Sequence, residues 1–571
     1  MDKLPEEIVS YILNYLEDTV DVINFSLTSK YNRKLIIKNK NTYKCVSTFN
    51  NKFINEIDKF DIIGKLKLEI CNIKNLEKIK NINCTEIKIN IPNIIDISML
   101  KNIDSIDLSE CNRIYDISML GECKELNLSC CKRIKDVSNL GNLIKLNLYN
   151  CNGVSDVSKL GNVVDLNLSY CENVKDVSML GNVKKLNLTK CINIKDVSML
   201  CNIPDLNLSG CYGIIDFSML GNIKKLNLSW NDNITDVSFL GNVEELYLTR
   251  CSNIRDVSML GKVKKLDLSY CYNITDVSNL GNVEELDLSG SEIIDVSKLG
   301  RVKKLNLSRC VKISDVSNLG NVVDLNLSYC EEIIDVSNLG EVKKLNLSGC
   351  FNIIDVSKLR NCIELNLSGC SRIIDVSNLG NIKKLNLSGC YNIIDVSNLG
   401  NCEELNLSNC LGLKDVSSLG NVNKLYLYNC KYIKDVSVLR NVKILDLSNC
   451  INISNVSNLG NCDELILSGC NKIKDVSALI NVRKLDLSNC IKITDVSNLG
   501  NCDELILSGC DKITDVSALG RVKKLDLSNC YKIKEVYMLK DVKELNLNFC
   551  YNVSDIKKLV NVKILYTYGC K

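Results

Sequence analysis

Residues 381–400 read NIKKLNLSGCYNIIDVSNLG, and nearly the same twenty residues recur down most of the chain. A fixed internal period of this length makes the chain a tandem repeat, so one unit decides the fold. The Leu-x-Leu pair falls at Leu126/Leu128, Leu146/Leu148 and onward to Leu286/Leu288; it then slips by one residue to Leu305/Leu307 and keeps register to Leu545/Leu547. From Ile106/Leu108 to Leu565 there are 24 rungs, with Leu66/Leu68 and Ile87/Ile89 as two degenerate earlier ones.

The unit V-x-x-L-x-L-S-x-C-x-x-I-x-D-V-S-x-L-G-N separates an alternating segment from a turn-rich one. Leu-x-Leu flanked by polar residues has period two, the mark of a short strand with one buried face. Parallel strands stacked one per rung bury the Leu, Val and Ile columns in a continuous core that no single rung could form. The return segment D-V-S-x-L-G-N is too short for a full helix. It predicts a single 3₁₀-like turn capped by Asp or Ser, with Gly supplying the bend. A narrow convex side predicts shallow curvature, and strands about 4.8 Å apart predict a rod on the order of 120 Å long.

At 571 residues the length alone would suggest several domains, but the period overrides that and favours one long solenoid. Net charge is +3, from 71 basic and 68 acidic residues that are interspersed. No bulk field therefore points to nucleic acid or to an anionic membrane. The chain has no His, which removes the commonest general base and the Ser-His and Cys-His nucleophile pairs. No enzyme activity, cofactor or metal is expected. The start MDKLPEE lacks an apolar h-region, and nowhere do eighteen apolar residues run together. A protein that is neither secreted nor membrane-spanning is expected, in a cytoplasmic setting that includes the cytoplasm or nucleus of a host cell.

Of 32 cysteines, twenty-three occupy one slot, three residues after the second Leu of a rung, from Cys71 and Cys111 to Cys570. Five more, Cys123, Cys362, Cys402, Cys462 and Cys502, sit three residues before the first Leu, where other rungs carry Val342, Ile382 or Val422. A Cys that exchanges with Val and Ile acts as a small core hydrophobe. Asn231 and Ser291 are the replacements in the main slot of the regular array, so that slot calls for a small side chain able to touch backbone. No CxxC pair occurs, and reduced structural thiols are expected.

The pattern LxxLxLxxC resembles the leucine-rich repeat, and I-x-D-V-S-x-L looks like the short-unit type of internalin-like proteins. The resemblance covers roughly residues 60–571 and implies an α/β repeat solenoid whose surface binds other proteins. Ahead of it, residues 1–40 have helical spacing. Pro5 suits a first helical position, Glu6 and Glu7 the first turn, and Ile8, Tyr11, Ile12, Tyr15 and Leu16 form an apolar stripe. This stretch resembles the F-box, a short helical motif that docks on the Skp adaptor of cullin-based ubiquitin ligases. Leu4, Pro5, Glu7, Ile8, Ile12, Leu16 and Leu27 carry the match, which implies that they bind the adaptor and, through it, a cullin. The usual Asp-Leu between the helices is missing. The reading is thus an F-box-like motif over 1–40, a connector over 41–65 and the solenoid over 66–571.

Three columns of strand residues point outward. The column before the first Leu alternates Glu125, Lys145, Asp165, Lys185, Asp205, Lys225 and so on to Lys424, a charge ladder that controls register. The next two are mostly Asn or Asp, and Ser, with departures at Tyr149, Tyr247, Tyr426 and Tyr428. The slot just before the cysteine runs Tyr170, Lys190, Gly210, Trp230, Arg250, Tyr270, Gly290, Arg309, Tyr329, and then only Gly or Asn until Phe549. Its basic and aromatic members form a candidate partner-binding strip, suited to an acidic or phosphorylated segment. The same side chains could instead simply stack on one another. The implied function is substrate recognition within a Skp–cullin–F-box ubiquitin ligase, with an unknown protein substrate bound along the repeat surface. The alternative is a non-catalytic interaction scaffold whose N-terminal helices only cap the solenoid.

Overall fold

The computed structural model describes Cys45–Thr48, Leu66–Ile70 and residues 86–570. The chain divides into two compact units, Met1–Asn273 and Ile274–Lys571. In the first unit, β1 (Cys45–Thr48), β2 (Leu66–Ile70) and β3 (Glu86–Ile89) run parallel, with Ser47 opposite Leu68 and Leu68 opposite Ile87. β1 falls within the stretch read as a connector, and its sequence CVST has no Leu-x-Leu to announce it. Three-residue strands follow every twenty residues, from β4 (Ser105–Asp107) to β12 (Lys265–Asp267). The second unit begins with β13 (Glu285–Asp287). After one nineteen-residue step to β14 (Lys304–Asn306), the twenty-residue spacing continues to β27 (Ile564–Tyr566).

Within each unit the strands pair in parallel and in strict register, Leu226 opposite Leu246 and Leu385 opposite Leu405. Backbone bonds continue past the strand ends: Leu128 N–H donates to Asn147 O (2.8 Å) and Cys130 N–H to Tyr149 O (2.7 Å). Each rung turns a full set of side chains inward. In one of them Ile382, Leu385, Leu387, Cys390, Ile393, Val396 and Leu399 are all buried. A single rung would leave these faces wet above and below, so stacking supplies the burial that holds the fold. This is the architecture of a leucine-rich-repeat solenoid.

The return turns are 3₁₀ helices in most rungs, as at Ser138–Leu140, whose Leu140 points into the core. The aspartate does not sit at the N-cap; Val137 does, without a side-chain bond. Instead, the Asp136 carboxylate accepts the Ser138 backbone N–H at 2.9 Å, closing an Asx turn one residue earlier. Serine thus contributes its N–H and not a capping oxygen, contrary to the sequence expectation. The glycine at the end of the turn also has a different role from the expected one. The backbone around Gly141 is ordinary, with φ −65°, but a Cβ there would lie 2.2 Å from Lys159 O of the next rung. Close stacking, not a permissive bend, is what the missing side chain allows.

The F-box-like motif, with Leu4, Pro5, Glu7, Ile8, Ile12, Leu16 and Leu27, lies outside the described residues. Among the described residues, no helix is long and apolar enough to cross a membrane.

Candidate interaction surface

From β4 onward the chain leaves each strand through a left-handed residue immediately before the cysteine, or before Asn231 and Ser291 in its slot. Gly349, Gly369, Gly389, Asn409, Asn429 and Asn449 hold φ between 58° and 77° there, the residue types that tolerate this conformation. Tyr170 (62°), Lys190 (60°), Trp230 (64°), Arg250 (58°) and Tyr270 (58°) in the first unit share it, as do Arg309 (62°) and Tyr329 (59°) in the second. A bulky L-residue in this region costs roughly 1 kcal/mol or more. The sequence-predicted strip is therefore a set of strained positions filled against local preference.

Part of that cost is recovered by contacts along the strip. Tyr149 and Tyr170 meet edge to face, with ring centroids 5.4 Å apart. Lys190 lies across Gly210, where a Cβ would meet its Cδ at 2.8 Å, and reaches the ring and hydroxyl of Tyr212. Arg250 Cζ stands 4.6 Å from the Trp230 ring centroid and 5.1 Å from that of Tyr270, and Tyr270 meets Tyr272 at 6.3 Å. In the second unit Arg309 lies 5.0 Å from the Tyr329 ring, which in turn covers Gly349. Trp230, Arg250, Arg309 and Tyr329 nevertheless remain exposed. Among the described residues, Lys190, Arg250 and Arg309 form no ion pair. The guanidinium edge of Arg250, with its forked N–H donors, is therefore available to a carboxylate while its face is held by rings.

In the strand columns several polar groups bond to one another within the fold. Glu364 pairs with both Lys344 and Lys384 at 3.3 Å, and Lys225 with Glu245 at 3.4 Å. A second ladder that the sequence reading missed runs one column earlier, through Lys224, Glu244 and Lys264. Asparagines form a ladder of their own. Asn147 Nδ2 donates to Asn127 Oδ1 at 3.0 Å and Asn167 Nδ2 to Asn147 Oδ1 at 2.9 Å, while Asn127 Oδ1 also accepts the Ser129 N–H. A groove over the second unit is lined by Lys344, Glu364 and Lys384, which pair with one another, and by Asn366 and Asn386, whose Oδ1 atoms accept the Ser368 and Ser388 N–H.

Beneath the strip runs the cysteine column. Among the described residues, each thiol of the column from Cys131 onward donates to the carbonyl of the second leucine one rung back, as in Cys131 to Leu108 O (3.1 Å) and Cys390 to Leu367 O (3.2 Å). Burial pushes the Cys390 thiol up to about 12 and that of Cys350 up to about 11. These thiols are protonated, buried packing groups and not nucleophiles. Asn231 keeps the rule with nitrogen, donating Nδ2–H to Leu208 O and Leu228 O, both at 2.9 Å.

No family model matches this chain, and no curated protein matches it. Among solved structures it is similar to the functional domain of InlJ from Listeria monocytogenes, a structure that includes a cysteine ladder. That likeness is 18% identity over 72% of this chain and 74% of the other, with a TM-score of 0.32. It is also similar to a leucine-rich-repeat protein of Leptospira interrogans (20% identity, 72% of this chain, 98% of the other, TM-score 0.35). A third likeness is to the internalin InlF of Listeria monocytogenes (19% identity, 72% of this chain, 88% of the other, TM-score 0.21).

Proposed function

We propose that this chain is a non-catalytic interaction protein that holds an acidic segment of a protein partner along Tyr170, Lys190, Trp230, Arg250 and Tyr270. Arg309 and Tyr329 offer a second, shorter contact of the same kind. The observation that carries the reading is the left-handed backbone of these residues. Gly or Asn would fit each position at no strain, so bulky cationic and aromatic side chains on nearby rungs indicate a use outside the fold. The partner's acidity follows from the cations that, among the described residues, no carboxylate pairs with. A single guanidinium between two rings suits one bidentate carboxylate better than a phosphate, which calls for a cluster of cations.

The test is fluorescence anisotropy of a fluorescein-labelled deca-glutamate peptide titrated with the full chain. Binding should weaken with salt, fall at least fivefold in Arg250→Gln, and stay unchanged in Lys344→Gln. Equal losses in both variants would reduce the effect to non-specific charge attraction and sink the proposal.

A second reading is favoured by the pattern Leu4, Pro5, Glu7, Ile8, Ile12, Leu16 and Leu27. In it the chain is the substrate-recognition subunit of a Skp–cullin–F-box ubiquitin ligase, with the same strip holding the substrate. Calorimetry with the Skp adaptor decides between the two. Micromolar or tighter binding that is lost in the Leu4→Ala, Pro5→Ala double variant supports the ligase subunit. No binding by folded protein leaves the scaffold.

A further inference from the structure

In the S-x-L stretch of the return turn, the middle slot is most often asparagine or methionine, and three of the asparagines have a structural use there. Asn139, Asn398 and Asn458 each donate Nδ2–H to a serine carbonyl one rung back, Ser118 O (3.3 Å), Ser377 O (3.1 Å) and Ser437 O (3.3 Å). Five consecutive rungs of the first unit fill the slot with Met179, Met199, Met219, Phe239 and Met259 instead. A thioether has no donor to offer, so these rungs forgo the bond. The core gains little in return, because the four methionines are 57–60% exposed and only Phe239 is half-buried. Five adjacent apolar residues in this slot, the four methionines exposed and Phe239 half-buried, form a patch that no internal hydrogen bond accounts for. Methionine is also the side chain best able to adapt to a docked surface.

The electrostatic setting of the ridge indicates what it would hold. Asp176, Asp196, Asp216, Asp236 and Asp256 run beside it, one per rung, each accepting a serine N–H at 2.8–2.9 Å. The backbone N–H of Ser198 and then its side chain hold the Asp196 carboxyl below the usual range, so the row stays ionised. Asp176, Asp196 and Met199 line one groove together with Lys175 and Lys195. The basic column lapses at Ile215 and Thr235 and resumes at Arg255, which leaves five carboxylates against three cations.

We propose that Met179, Met199, Met219, Phe239 and Met259 dock an amphipathic α-helix of a protein partner, one with an apolar stripe edged by lysine or arginine. Spacing supports a helix lying along the ridge. Rungs advance about 4.8 Å, and stripe residues three or four apart in a helix advance about 5 Å. Five rungs thus match roughly thirteen helical residues without slipping out of phase.

A suitable probe is the synthetic helix LKKLLKLLKKLLKL, with the full chain as receptor. Hydrogen peroxide footprinting read by mass spectrometry should show oxidation of Met179, Met199, Met219 and Met259 slowed at least fivefold by the peptide. Met538, 44% exposed in the second unit, should be unaffected. The Met199→Asn, Met219→Asn double variant should bind at least fivefold more weakly with no loss of Tm, since other rungs accept asparagine in this slot, as at Asn139 and Asn398. Arg250→Gln should leave this binding intact, which separates it from the deca-glutamate site. Equal protection at Met538, or binding indifferent to the double variant, would overturn the proposal. So would protection of the same methionines by anionic phosphatidylserine vesicles in preference to the peptide, which would make the ridge a lipid contact.

Discussion

Arg250 stands over the indole of Trp230, its Cζ 4.6 Å from the ring centroid, and both residues hold left-handed backbone angles, 58° and 64°. Each residue sits in a conformation it disfavours, and the contact between the two side chains offsets part of what that conformation costs.

Replacing Trp230 therefore separates the two effects. Trp230→Gly removes strain of roughly 1 kcal/mol and forfeits a cation–π contact of about 0.5–1 kcal/mol at an exposed site. Its stability by urea unfolding should stay within about 1 kcal/mol of the parent. Trp230→Val keeps the strain, adds β-branching and loses the ring, so it should cost about 1–2 kcal/mol. Equal effects of the two substitutions would mean that the left-handed backbone is not what the position resists.

Two glycines answer a related question about where each is needed. Gly369 has φ 77°, and a Cβ on it would find its nearest neighbour 3.8 Å away, so Gly369→Ala tests conformation alone and should cost about 1 kcal/mol. Gly141 has an ordinary φ, but its Cβ would strike Lys159 O, so Gly141→Ala tests stacking and should cost about 1–3 kcal/mol. Cys201 occupies the equivalent slot of its rung with φ −61°, which shows that a rung can open to admit a side chain. A double variant should show additive losses, because the two sites share no neighbour.

The buried thiols predict the response to alkali. Burial raises the Cys211 and Cys390 thiols from 9.0 to about 12, because it disfavours the thiolate. The sign follows directly: the folded state holds protons that the unfolded chain releases above pH 9.0. Stability is therefore full below 9 and is lost as pH rises toward 12, at about 1.4 kcal/mol per pH unit for each such thiol. With one thiol in nearly every rung, circular dichroism should show a steep alkaline transition soon above pH 9. Among the described cysteines, iodoacetamide at pH 8 should first label the half-exposed Cys130, Cys201 and Cys570. Labelling of Cys390 at the same rate, read by mass spectrometry, would contradict the packing role.

How far the sequence could be read depended on whether a residue's pattern or its backbone angle carried the information. Leu385 and Leu387 announce a strand because alternation is visible in one dimension, and the exchange of Cys402 with Ile382 and Val422 between rungs marks a core position equally well. The alternation Lys344, Glu364, Lys384 is likewise a contact written in the period. The left-handed slot was hidden by the very residues that made it interesting. Tyr170 and Trp230 read as a surface strip, while Gly349 and Asn409, the usual occupants, held the signal for φ. The methionine ridge is not legible in the sequence because S-x-L carries only a turn signal, and the Asn398 to Ser377 bond shows what methionine gives up there. β1 was not legible because its residues lack the Leu-x-Leu alternation of the later strands.

The two exceptions in the cysteine column should respond to mutation with opposite signs. Asn231 is fully buried and reproduces the column's bond twice over, with one orphaned atom, Oδ1. Asn231→Ala removes both bonds and leaves two leucine carbonyls less well served, so it should destabilise by about 1–3 kcal/mol. Ser291 is 2% exposed and its hydroxyl has no partner among the described residues, so it carries a desolvation cost with no bond to offset it. Ser291→Ala should be neutral or slightly stabilising. Ser291→Cys, which restores the column's usual side chain and fills more of the space, should raise stability by about 1 kcal/mol. Urea unfolding of the three variants side by side settles the point. A loss in Ser291→Ala as large as that in Asn231→Ala would show that the serine hydroxyl is bonded after all, and that both replacements were accepted for the same reason.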